Sequence, residues 1–209
     1  MFVTPLVVVT LGVIALSGWL LWPEWRRFQA VERLRRDFDQ LVENFGDEVR
    51  LSPDVYDAAI SHGRELRTVG GESRAAEYLA PMLKHDRAMV RMFTAVFLEQ
   101  IGPGAKDAVP DLIAALQDEH AKVRLRAAYA LAEYESAASE AVVPLTHALR
   151  DKDDFVSYAA AVALRRIDRR VAEAFATEHA ADGSLSPKVI DTLLHYDHDL
   201  AIEGKKIAF

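Results

Sequence analysis

AEYLAPMLKHDRAMVRMFTAVFLEQIGPGAKDA (76–108), VPDLIAALQDEHAKVRLRAAYALAEYESAASEA (109–141) and VPLTHALRDKDDFVSYAAAVALRRIDRRVAEA (143–174) are three versions of one unit. At a step of 33 residues Leu83, Leu116 and Leu149 coincide, as do Val90, Val123 and Val156. Ala95, Ala128 and Ala161 form a third column, and Leu98, Leu131 and Leu164 a fourth. Four apolar columns in register across three copies mark stacked supersecondary units, because periods of 20–50 residues build solenoids. The fold follows from this one pattern.

Within a unit the apolar spacing is helical twice over. In the second unit Val109, Leu112, Ile113 and Leu116 predict a short first helix, with Pro110 acceptable in its first turn. Residues 117–120 predict a polar turn. Val123, Ala127, Ala128, Leu131 and Tyr134 then predict a second helix, whose small alanines let neighbouring helices approach closely. Gly102, Pro103 and Gly104 are a strong stop after the first unit's second helix.

The second helices read Val-Arg followed by Ala-Ala and Ala-Leu, here Val123-Arg124, Ala127-Ala128 and Ala130-Leu131. Val90-Arg91 with Ala95 and Leu98 carries the same pattern one unit earlier. In these residues the chain resembles the HEAT-like repeats of the short bacterial, phycobilisome-lyase-like kind, over about residues 74 to 173. The resemblance implies an all-α solenoid that binds partners through an extended face. Some proteins of this type are DNA glycosylases or bilin lyases, so it also admits an enzyme. The third unit departs from the pattern, with Ser157 where the arginine would stand and Pro144 one residue later than Pro110. In the first unit Pro81 lies near the middle of its helix.

Further helices flank the units. Ser52 and Pro53 open one that runs to about Thr68, with Gly70 and Gly71 as its stop. Residues 171–179 predict another, and Ser186 with Pro187 opens a last one carrying Val189, Ile190, Leu193 and Leu194. Terminal units of a solenoid are atypical because they cap its apolar ends. The helical-repeat domain is thus expected over 51–196, followed by a tail, 197–209, without clear period.

Residues 3–22, VTPLVVVTLGVIALSGWLLW, pass without a charge. As a helix they span ~30 Å, the thickness of a bilayer's hydrocarbon core. The expectation is a single transmembrane helix over 1–23, uncleaved although Ala15-Leu16-Ser17 loosely fits a cleavage site. Trp19, Trp22 and Trp25, with Arg26 and Arg27, are the expected membrane-interface residues. Arg26, Arg27, Arg33, Arg35 and Arg36 follow the run closely and no Lys or Arg precedes it, which points to a bacterial-type inner membrane with the body on the cytoplasmic side. The alternative is a periplasmic body.

Pro23 is expected to break the helix there. Residues 24–50 then predict a separate juxtamembrane amphipathic helix, its stripe formed by Phe28, Val31, Leu34, Phe38, Leu41, Val42, Phe45 and Val49. This stripe is expected to pack on the repeats.

Composition narrows the chemistry. The 209 residues carry 25 Lys+Arg against 32 Asp+Glu and no cysteine. A net charge of −7 argues against a nucleic-acid partner, which needs clustered positive charge. Absent cysteine excludes disulfides, thiolate metal sites and cysteine nucleophiles. No Gly-rich phosphate loop and no Gly-x-Ser-x-Gly elbow occurs. His195, Asp197, His198 and Asp199 have metal-ligand types but sit at a helix end without a distant further ligand, so no metal is expected. Neither cofactor nor small-molecule substrate is expected either, and the chain reads as a non-enzyme.

The candidate functional surface is apolar. The helix predicted over 88–101 is apolar nearly all round and must be buried on every face. Two columns run along the second helices, Met92–Leu125–Tyr158 and Val96–Tyr129–Val162, with Phe93 beside them. These seven are the candidate partner-binding residues, since large apolar patches mark interaction sites. The bland alternative is that the juxtamembrane helix covers them. The partner expected is another protein, a subunit of a membrane complex.

Overall fold

The computed structural model describes the backbone of residues 5–44, 53–180 and 182–195; side chains are described from residue 22 onward, except residues 44 and 55. Ten α-helices form this part: α1 (Pro5–Asn44), α2 (Pro53–Val69), α3 (Glu72–Leu79), α4 (Ala88–Ile101), α5 (Val109–Ala115), α6 (Ala121–Tyr134), α7 (Val142–Ala148), α8 (Asp154–Ile167), α9 (Arg169–His179) and α10 (Pro187–His195). There is no strand among the described residues.

The predicted pairs are α3–α4, α5–α6 and α7–α8. Second helices stack directly, α2 on α4, α4 on α6, α6 on α8 and α8 on α10. All four apolar columns are interior. Leu83, Leu116 and Leu149 are the most exposed of the twelve residues, at 4%, 2% and 2%. Helix α1 packs on α2 and α3, and α9 packs on α8 and α10, so each end of the stack is closed by an extra pair.

Proline position shapes each first helix. In α5 Pro110 lies in the first turn, where its missing N–H costs nothing. Pro81 instead ends α3 and opens a 3₁₀ turn, Ala80–Lys84. Between successive pairs run 3₁₀ turns Pro103–Ala108 and Glu135–Ala141. Ala105 and Ala138, 33 residues apart, depart from helical geometry in the same way (φ −96° and −100°).

One expectation fails here. Helix α1 continues through Pro23, so the anchor and the juxtamembrane helix form one element. Proline removes one backbone hydrogen bond, a local loss. Downstream the helix is held by Ala30, Leu34 and Phe38, which are 0%, 0% and 1% exposed. Val31, Leu41 and Val42 pack partly buried beside them, as the stripe predicted, whereas Phe28 is exposed. Phe45 and Val49 lie outside the described residues, as do residues 1–4 and the tail. The apolar run lies, up to residue 21, outside the described side chains. Among the described residues no helix is long and apolar enough to cross a membrane.

Candidate functional site

Position by position, the second helices differ in what covers them. Thirteen of the fourteen residues of α4 are buried, all but Gln100. Phe97 meets the Phe38 ring of α1 edge-on at 5.3 Å and the His62 ring of α2 at 6.2 Å. Gly63 lets α2 pass close over α4, for a Cβ there would lie 2.3 Å from the Gln100 carbonyl oxygen. Met92, Phe93 and Val96, at 1%, 0% and 0% exposed, are therefore core and not a docking face. Val162 of α8, at 3%, is core as well. At α4 the end pair of α1 and α2 packs on this surface, and at α8 the end helices are α9 and α10.

Leu125, Tyr129 and Tyr158 differ. All three are half-buried, resting on the core with an edge toward solvent. Lys188 of α10 sets its Nζ 4.5 Å above the Tyr158 ring, a cation–π contact that covers that end of the row. Leu125 and Tyr129 thus form the centre of what remains of the ridge on α6.

Two arginines missed as functional candidates tie the units together. Arg91 donates through Nε (2.6 Å) and an Nη (3.0 Å) to both carboxylate oxygens of Asp118, and its other Nη donates to the carbonyls of His85 and Asp86. Arg124 repeats this one unit later. It is bidentate on Asp151 at 2.7 and 2.8 Å, and donates to the carbonyls of Asp118 and Glu119. Asp118 and Asp151 also accept the N–H two residues on, from His120 and Asp153. At the matching place in the first unit His85 accepts from the Arg87 N–H. Burial alone would raise both aspartates, but the arginine hydrogen bonds and charge outweigh it and hold them below the ordinary carboxylate value. The same bonds push Arg91 and Arg124 upward. The donors of both guanidiniums are directed at groups of the same chain, so the ladder is a structural clamp. It stops at Ser157, whose hydroxyl donates to the Asp154 carbonyl within its own helix.

A second unforeseen feature lies at Glu135. It has φ +48° and occupies the place held one unit earlier by Gly102 (φ +79°). A side chain is strained there. Its carboxylate accepts from Arg166, which is bonded also to Glu133 at 2.8 Å.

On α1, Trp22, Trp25 and Phe28 are 57%, 52% and 53% exposed, with the two indoles stacked at 5.1 Å. Trp19 lies outside the described side chains. Arg26 is exposed. Arg27 turns inward, its Nε donating to the Val69 carbonyl at 2.7 Å and an Nη to Glu24 at 2.7 Å. Glu24 in turn pairs with Arg74 at 3.1 Å. His195 pairs with Asp191 at 3.0 Å, and residues 197–199 of the histidine–aspartate cluster are outside the described residues. No group of His, Asp and Glu that could hold a metal occurs among the described residues.

Among known families, a model described as HEAT repeats matches residues 51–132 and again 109–196. No curated protein matches the chain.

Proposed function

This chain belongs to the HEAT-repeat family, and on that footing we propose that it is a protein-interaction scaffold held at a membrane by the N-terminal part of α1. It works by binding, with no cofactor, as a subunit of a larger membrane complex, its body on the cytoplasmic side. The observation that carries the binding role is the contrast between equivalent positions. Met92 and Val96 are spent inside the chain, while Leu125 and Tyr129 keep a solvent-facing edge on a clamped, rigid stack. A preformed face loses little entropy on binding, and solenoids offer such faces to extended partners. Tyrosine suits the role, bringing large contact area with few rotatable bonds. The membrane role is supported by the uncharged run 3–22 and the exposed Trp22 and Trp25 that follow it.

The test is purification of the full chain in mild detergent with identification of the chains that accompany it. Tyr129→Glu and Leu125→Arg are expected to lose the same companion while helical content by circular dichroism stays unchanged. Val143→Glu, at a residue 64% exposed on α7, keeps it. Normal recovery with both α6 variants would remove the ridge as the docking face.

A further inference from the structure

The two long edges of the stack are each fixed by named contacts, and α1 runs from the first edge to the second. At the first edge Arg27 bonds the Val69 carbonyl, Ser73 bonds Asp107 at 2.9 Å, and turn Pro103–Ala108 packs on turn Glu135–Ala141. At the second edge an Nη of Arg87 bonds the Val42 carbonyl at 3.0 Å, and the Arg91–Asp118 and Arg124–Asp151 pairs continue the row. Arg27 and Val42 are fifteen residues apart on one helix, so the edges stand about 22 Å apart along it. Trp22 is five residues before Arg27, a rise of about 8 Å. Trp22, Trp25 and Phe28, at three-residue steps, face away from the buried Ala30, Leu34 and Phe38.

We infer that α1 is a hinge-free stalk that seats the solenoid edge-on against a phospholipid surface. Trp22, Trp25 and Phe28 lie at the headgroup level, turns Pro103–Ala108 and Glu135–Ala141 touch the headgroups, and the arginine–aspartate ladder faces water. The inference rests on the membrane reading above. Exposed tryptophans beside an uncharged run of spanning length favour the boundary between headgroups and acyl chains. The helix has no break between that run and the first solenoid contact, so the depth of the aromatics sets the height of the edge.

The absence of cysteine makes the experiment direct. Full-length chains carrying Lys106→Cys or Ser139→Cys at the first edge, or Gln117→Cys or Lys152→Cys at the second, are labelled with a fluorophore. They are reconstituted into phosphatidylcholine vesicles doped with a headgroup-nitroxide lipid, a short-range quencher. Labels at 106 and 139 are expected to be quenched several-fold more than labels at 117 and 152. A flexible glycine–serine insertion between Pro23 and Glu24 should erase that difference while the chain still floats with the vesicles. Flotation with equal quenching at both edges in the uninterrupted chain would overturn the seating alone. Failure of every variant to float with vesicles would overturn the membrane reading, and the seating with it.

Discussion

Helices α4 and α6 occupy the same place in successive units, yet one is interior on nearly every side and the other keeps a face toward solvent. Both carry the buried Val, Ala and Leu columns and both begin with a clamped arginine. What separates them is the neighbourhood. α4 is reached by the Phe38 ring of α1 and passes close under Gly63 of α2, while among the described residues α6 lies between α4 and α8. A repeat position is thus core or surface according to its distance from the capping pair, and an apolar residue has to be read with that distance in mind.

The sharpest way to break this comparison is to place one charge at equivalent sites. Val96→Asp is expected to destabilise by more than about 4 kcal/mol or to unfold the chain, since a carboxylate would be buried without a partner. Tyr129→Glu, one unit later at a half-buried site, should cost clearly less, about 1–2 kcal/mol. Equal losses at both sites would erase the distinction. Next in size is the clamp that the two helices share. Arg124→Ala strands Asp151 and is expected to cost about 3 kcal/mol by urea denaturation, with Arg91→Ala similar.

Acid probes the same clamp without mutation. Asp118 and Asp151 are held below their ordinary value when folded, so their contribution is complete above the ordinary carboxylate range. It declines as pH falls from ~4 through the lower folded value. The melting midpoint of the wild type should drop over that interval, and that of Arg124→Ala should drop less. The smallest expected effect is a gain. Glu135→Gly restores the residue that Gly102 supplies one unit earlier, relieving a positive φ at the loss of an exposed bond to Arg166. About 0.5–1 kcal/mol of added stability is expected in the same denaturation assay.

Much of the architecture could be read from the residues, because a 33-residue step repeats the same four columns and each column has one physical destiny. The helix pairs, the polar turn at 117–120 and the flanking helices followed from it. The ridge was less legible. Met92 and Tyr129 look alike as large apolar residues on second helices, and nothing local to Met92 announces that it is buried. Gly63 was the missing signal, since a glycine inside a helix marks a close approach. The arginines of the ladder were legible as repeated Val-Arg pairs that Ser157 ends, but their partners were passed over, although Asp118 and Asp151 stand 33 apart, each 27 residues after its arginine. Pro23 misled for the opposite reason. Its local penalty is real, but a helix secured by Leu34 and Phe38 tolerates one missing bond.

Ser157 ends the clamp one junction before the end of the stack, and that sets an order of unravelling. Between α8 and the α9–α10 pair, apolar contact is supplemented by Lys188 over Tyr158 and by an ion pair from Arg165 to the partly exposed Glu173, in place of a buried bidentate pair. A linear array opens first at its weakest junction. Amide hydrogens of α9 and α10 should therefore exchange with deuterium ahead of those in α4 and α6, the closing pair fraying as a unit while the clamped block stays zipped.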